Sequence, residues 1–238
     1  MKLQYIKAVV LSALLMLFFS CKKDAVIDGG VSNPKVNMTT YDYLKAHPRG
    51  LFDTLLLIVD KAGMKELVNS PGTMFVPTDY SIQNYLNLRR AEIRKVDERQ
   101  DFTLDSLLKN YSPAMLKDSM SVYLFPQTIQ REDLEESPKE YASRQSPYKF
   151  LVSLLEHGNN DYNADGIITT KPKFMWFSRT IGEKDLEISG RFQDPSGNPD
   201  LLDSRSILQT TGIISNTGII HVLENGHIWL RGFKLNVN

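Results

Sequence analysis

The sequence predicts a single α+β domain, and three observations carry that expectation. Helical apolar spacing dominates the first half of the chain, strand-like runs dominate the second, and a Pro-Thr-Asp corner joins a short strand to a helix between them. The composition suits such a domain: of 238 residues 42% are apolar and 24% charged, enough to fill a core and too apolar for disorder. Lys+Arg and Asp+Glu number 28 each, and a net charge of zero argues against an electrostatic nucleic-acid binder. The single cysteine excludes an internal disulfide framework and a zinc site of several thiolates.

The first element is an address. Lys2 and Lys7 precede the run Ala8–Phe19, apolar apart from Ser12 and only 12 residues long. A bilayer needs about 20, so the run reads as a secretory signal. It ends in Phe18-Phe19-Ser20-Cys21, which resembles a bacterial lipoprotein cleavage box with Phe18 where Leu is usual. That resemblance implies removal of residues 1–20 and lipidation of Cys21, a lasting anchor at about 0.8 kcal/mol per buried CH₂. The alternative is an ordinary signal peptide with an unrelated cysteine. Lys22-Lys23-Asp24 puts no acid next to Cys21, which favours the outer membrane and cell surface over inner-membrane retention. Residues 21–37, broken by Gly29-Gly30 and Asn33-Pro34, read as a flexible tether.

The domain is expected over 38–238. Thr39 or Thr40 is placed to cap a short helix through Tyr41 and Leu44 that stops near Pro48. Leu51, Phe52, Leu55, Leu56 and Val59 recur at helical spacing as far as Gly63, and Lys65 to Val68 can add a turn. After Pro71-Gly72, the run Thr73–Val76 reads as a strand. Pro77-Thr78-Asp79 then opens a helix through Ile82, Tyr85 and Leu86 toward Val96, with Thr78 or Asp79 accepting its free amide hydrogens. A short helix follows from Leu104 to Tyr111. Strands are expected over 121–125, 149–155, 173–177 and 184–189, and in short pieces at 207–208, 213–214, 218–223 and 227–230. Asn225-Gly226 predicts a hairpin between the last two.

Three segments carry a family resemblance. Thr73-Met-Phe-Val-Pro-Thr-Asp-Tyr-Ser-Ile82 resembles the first conserved box of fasciclin domains, and Gly218-Ile-Ile-His-Val-Leu223 resembles the second. Between them, Phe125-Pro126 and the residues up to Leu134 resemble the segment after the family's Tyr-His pair. The motif positions are Thr73, Phe75, Pro77, Thr78, Asp79, Pro126, Gly218 and His221, and their physics is structural: Pro77 fixes φ at the corner and Thr78 or Asp79 caps the helix. His221, between Ile220 and Val222, reads either as an interior histidine with a hydrogen-bond partner or as a ligand or catalytic group. The resemblance implies a fasciclin-like wedge of short β-strands flanked by helices, used for adhesion or matrix binding. There are departures. The Tyr-His pair falls on Val122-Tyr123, Gly212 stands where the adhesive motif has its aspartate, and Thr217 precedes Gly218 where Asn is usual. An integrin-type carboxylate contact therefore does not carry over. Insertions near 87–118 and 135–206 are where new binding surface is expected.

Chemistry is otherwise sparse. His47, His157, His221 and His227 have no zinc-motif spacing, and neither a Gly-x-Ser-x-Gly elbow nor a Gly-rich phosphate loop is present. Asp161, Asn163 and Asp165 match the opening of a calcium loop, but Pro172 stands where the bidentate acid belongs. The segment is either a calcium site or a polar turn held by Asx hydrogen bonds. Arg89, Arg90, Arg94, Lys95 and Arg99, interrupted by acids, read as a solvated helix face or an anion contact, and Glu132, Asp133, Glu135 and Glu136 as a solvated cluster. Tyr141, Tyr148, Tyr162 and Trp176 are candidates to stack on sugar rings, although Trp176, between Met175 and Phe177, is expected in the core.

The expected role is a cell-surface adhesion or binding module, with a protein or glycan ligand, as an accessory to surface glycan capture. Contact with membrane is expected through the lipid anchor alone, and no enzyme activity or cofactor is expected beyond the calcium of the Asp161 loop. The alternative is an envelope scaffold that organises neighbouring proteins, and a remote one is a glycan-active enzyme.

Overall fold

Short capped helices make up the first half of the domain. The computed structural model describes residues 33–145, 147–156, 172–188 and 191–231. The leader 1–20, Cys21, and Asp161, Tyr162, Asn163 and Asp165 lie outside those residues. The α1 helix (Thr40–Lys45) is capped by Thr39, whose hydroxyl accepts from the Asp42 amide. The α2 helix (Asp53–Lys61) ends ahead of Gly63, whose φ of 63° lets the chain turn away. A single turn, α3 (Lys65–Val68), leads to β1 (Thr73–Val76). The α4 helix (Asp79–Arg94) has Thr78 as its N-cap, and α5 (Leu104–Asn110) has Thr103.

Next comes an unexpected helix, α6 (Pro113–Ser121), capped by Ser112 with Pro113 at its first position. It takes up Ser121 and shortens the expected 121–125 strand to β2 (Leu124–Phe125).

The strands that follow are β3 (Lys139–Ala142), β4 (Lys149–Glu156), β5 (Lys173–Arg179), β6 (Leu186–Ile188), β7 (Arg191–Gln193), β8 (Ser204–Ile214) and β9 (Ile219–Leu223). The β6–β7 hairpin stands apart, and the described residues of the other seven form one sheet in the order β2-β1-β9-β8-β5-β4-β3. Within it β1 and β9 run parallel, with Thr73 opposite Ile219 and Phe75 opposite His221, and the remaining pairs are antiparallel. The sheet nearly closes on itself. Just past β3, the Arg144 amide donates to the Leu124 carbonyl of β2 at 2.7 Å and its guanidinium donates to the Pro71 carbonyl. Both sheet edges are thereby partly protected.

Phe75 sits at the centre of the core, stacked on Phe177 at 4.5 Å and edge-on to Phe125 at 5.2 Å, while Phe150 stacks on the other side of Phe177 at 4.4 Å. The buried faces of α2 (Leu55, Ile58, Val59) and α4 (Ile82, Leu86) belong to the same core.

Three other expectations need correction. The pieces at 207–208 and 213–214 are one strand, β8, bulged between Leu208 and Ile213 where Gly212 takes a φ of 74°. No hairpin follows Asn225-Gly226, because the chain turns inward: the Trp229 amide donates to Ser81 at the start of α4, and Asn84 donates to the carbonyls of Asn225 and His227. Finally, the chain joins the sheet ahead of residue 38, with Val36 donating to Ile214 and Ile214 donating to Pro34. Among the described residues no helix is long and apolar enough to cross a membrane.

Candidate functional site

The parallel pairing of β1 with β9 lays the two box segments side by side, and their polar residues bond inward. Thr73 Oγ1 donates to the Gln127 carbonyl at 2.8 Å and accepts from the Ile129 amide at 2.9 Å, pinning the loop that begins at exposed Pro126. Pro77 ends β1, and its two neighbours divide the capping. Thr78 starts α4, its amide donating to Ser81 Oγ at 3.2 Å. Asp79 turns back to α2, its carboxylate accepting from the amides of Thr54 at 2.9 Å and Leu55 at 3.0 Å. Phe52, at the N-cap of α2, has no oxygen to offer, so Asp79 supplies that cap across the corner. Burial pushes the Asp79 carboxyl upward against the pull of the two amides. Gly218 lies so close to β1 that a Cβ there would come within 2.6 Å of the Gly72 carbonyl oxygen.

His221 is fully buried. Its Nε2 donates to the Ile129 carbonyl at 2.8 Å, its Nδ1 accepts from the Gly212 amide at 3.1 Å, and its ring stacks on Phe75. Burial lowers its pKa to about 4, and both nitrogens serve the fold. His227 contacts Ser206 Oγ at 2.7 Å and Tyr123 Oη at 2.9 Å, and burial lowers it to about 3. A serine and histidine at that distance would suit nucleophilic catalysis. Ser206 is only 2% exposed, however, and the void beside Tyr123 and His227 is about 10 Å³, too small to admit a substrate.

A large, mainly apolar groove lies elsewhere, on the outward face of β4, β5 and β8. Strand alternation builds it: Val152, Met175 and Phe177 point into the core, so Leu151, Trp176, Ser178 and Arg205 point out. Leu151 pairs with Ser178, Ser178 with Arg205, and Ser153 with Trp176, which sets them in adjacent rows. Trp176 is half-buried on this face, a correction to its expected core position: the residues on either side of it point inward, so it cannot. The groove encloses about 720 Å³, within the range of small-ligand sites. The β6–β7 hairpin borders it with Phe192, 48% exposed, over which the Arg205 guanidinium lies at 3.8 Å from the ring centre.

Beneath Arg205 two buried aspartates lock together. The Asp185 amide donates to Asp203 Oδ2 at 3.2 Å and the Asp203 amide donates to Asp185 Oδ2 at 3.1 Å. Arg205 bridges them, donating to Asp185 Oδ2 at 2.7 Å and to Asp203 Oδ2 at 3.0 Å, and Asp203 Oδ1 accepts from the Ile181 amide. The Asp185 side chain has no exposed surface, and its Oδ1 accepts no hydrogen bond. At the rim Lys173 and Glu136 form an ion pair that raises the lysine and lowers the glutamate.

Sequence reading singled out Trp176 and Glu136 but missed Asp185, Phe192, Asp203 and Arg205. Nothing in the spacing of two aspartates 18 residues apart says that they meet. Of the other candidates, Tyr141 is buried and Tyr148 lies under the Arg179 guanidinium. The basic stretch is ion-paired on the surface of α4 and the loop after it, through Arg89–Glu92, Arg90–Asp101 and Arg99–Asp97. Among the described residues no three His, Cys, Asp or Glu side chains are grouped to hold a metal. A second cavity of about 490 Å³ lies between His47 and Tyr80, beside the Asp79 cap. No protein-family model matches the sequence, and no curated protein matches it.

Proposed function

We propose that this chain is a lipid-anchored binding module of the cell envelope, held at the outer membrane surface through Cys21 and engaging a protein or glycan ligand through its groove. The groove is the observation that carries the reading. An outward sheet face would ordinarily present solvated polar side chains, and this one presents Trp176 and Phe192 beside a charged cluster fixed by five hydrogen bonds. It also falls within 135–206, where the chain exceeds a compact fasciclin domain. The juxtaposition of Thr73–Val76 with Ile219–Leu223 supports the fasciclin-like form of the wedge. Binding is favoured over hydrolysis at the two aspartates, because both Asp203 oxygens are engaged and Asp185 is tied to the same arginine.

The test is binding of the full-length protein, purified in detergent, to immobilised matrix proteins and polysaccharides. Saturable binding that weakens at least about tenfold in Phe192→Ala and is unchanged in Val96→Ser supports the reading. Binding indifferent to Phe192→Ala places the contact off the groove. Separately, Cys21→Ser should abolish incorporation of a fatty-acid label, and a label that persists removes the anchor.

A further inference from the structure

We infer that the Asn225-Gly226 turn modifies itself in the folded protein, by a reaction that does not involve the groove. The Gly226 amide nitrogen bonds to Asn225 Cγ, the bond from Cγ to Nδ2 breaks, and the amide proton leaves with that nitrogen as ammonia. Water then opens the succinimide ring at either carbonyl, giving aspartate or isoaspartate at 225.

The nucleophile is the first observation. Gly226 is exposed, and its amide donates to nothing among the described residues. With no Cβ, residue 226 puts nothing in the way of its own nitrogen. The turn is closed by one backbone bond, from the His227 amide to the Glu224 carbonyl at 3.1 Å, so the swing of nitrogen onto Cγ breaks little.

The electrophile is the second. Asn225 is exposed, and its Oδ1 accepts from Thr78 Oγ1 at 3.2 Å and from Gln209 Nε2 at 3.4 Å. Two donors on that oxygen favour the negative charge it takes up as nitrogen adds to Cγ. Nδ2, the nitrogen that leaves, donates to nothing among the described residues.

The other asparagines give the contrast. Asn216 is exposed as well, but the Thr217 amide behind it is donated to Ser215 Oγ at 3.2 Å, and the branched Thr217 side chain crowds the approach. Asn110 precedes Tyr111, whose amide closes the last turn of α5 onto Leu107. Asn198 precedes Pro199, which has no amide hydrogen. Asn225 is the one asparagine in the sequence followed by glycine.

The product disturbs the place where it forms. A carboxylate at 225 keeps Thr78 and Gln209 as donors but adjoins Glu224, whose Oε1 is fixed by the Ile207 amide at 2.9 Å, and it lines the same cavity as Asp79. Isoaspartate also lengthens the main chain by one atom, which puts the two bonds from Asn84 to the carbonyls of Asn225 and His227 out of register. That turn is what brings His227 and Trp229 into the core, so the modified protein should be the less stable form.

The experiment incubates the full-length protein, in detergent and mildly alkaline buffer, and follows it by peptide mapping with enzymatic methyl labelling of isoaspartate. Residue 225 is expected to convert first among the asparagines, to a mixture of aspartate and isoaspartate. The converted protein, separated by ion exchange, should unfold at lower urea than the unconverted. Gly226→Ala should slow conversion many-fold, and its methyl meets nothing nearer than Glu224 Oε2 at 3.6 Å, so the fold is kept. Conversion led by another asparagine, or unchanged in Gly226→Ala, overturns the assignment. So does conversion confined to the urea-unfolded chain, since the native turn would then withhold the nitrogen from Cγ. An unchanged urea midpoint in the converted protein overturns the stated effect on the turn.

Discussion

Acid should unfold this domain through its histidines before its carboxylates matter. His221 and His227 are lowered from 6.5 to about 4 and about 3, both by burial. For His221 the geometry gives a further reason: Nδ1 already accepts the Gly212 amide hydrogen, so a proton placed there would meet another proton head-on. A depressed histidine stabilises the fold fully above the unfolded pKa, and that stability drains away as pH falls toward the folded value. Between pH 7.5 and 4.5 the unfolded chain takes up two protons that the folded chain refuses. Each uptake costs the fold about 2.5 kcal/mol in that window, so the pair costs about 5 kcal/mol, a large part of a typical domain's stability of about 5–15 kcal/mol. The window stops at 4.5 because Asp97, Asp101 and Glu136, lowered by exposed ion pairs, respond only further down, while Asp79, raised by burial, works in the opposite sense. Urea unfolding followed by tryptophan fluorescence at the two pH values measures the difference. His227→Gln should remove about half of it, whatever the variant's stability at pH 7.5. A wild-type loss below about 1 kcal/mol would refute the reasoning, since the histidines would then be protonated as easily inside as outside.

Other perturbations follow from the geometry. Asp79→Ala should cost about 1–2 kcal/mol by uncapping α2, and amide exchange should quicken at Thr54 and Leu55 while α4 keeps its Thr78 cap. Gly218→Ala pushes a methyl against the Gly72 carbonyl and should cost about 3 kcal/mol; Gly63→Ala, with open space around it and only a φ of 63° to object, should cost about 1–2 kcal/mol, and urea midpoints distinguish them. Phe75→Ala should cost about 3–5 kcal/mol by emptying the space between Phe125, Phe177 and His221, with near-ultraviolet dichroism reporting loosened aromatic packing.

Local signals made the N-terminal helices legible: Thr39 and Thr78 as caps, Gly63 as a stop, apolar residues at helical spacing. The same signals were present at Ser112-Pro113, where apolar residues at 122–125 made the segment read as strand. Asn225-Gly226 misled for a different reason. A hairpin turn needs a second strand to pair, and His227 and Trp229 gain more by burying their rings beside Tyr123 and Tyr85. The β3 strand, Lys-Glu-Tyr-Ala, buries only Tyr141 and owes its extended form to pairing with β4. The groove was least legible of all. It lies inside 135–206, the stretch read as expanded on the fasciclin resemblance, and Asp185, Asp203 and Arg205 meet only through the fold, by bonds that no sequence spacing announces.

The parallel pairing of β1 with β9 also bears on when the protein can fold. The first strand of the sheet finds its inner neighbour in the last, more than half the chain later, and β8 closes against that same latecomer. Until β9 is available, β1 has only the two-residue β2 beside it, and the aromatic cluster around Phe75 lacks the wall that His221 provides. Such non-local closure slows folding and delays cooperativity. A nascent chain emerging from its N-terminus can therefore form helices early but cannot close the sheet against which they pack. The domain stays pliable, and able to thread through a narrow passage, until nearly all of it has been made.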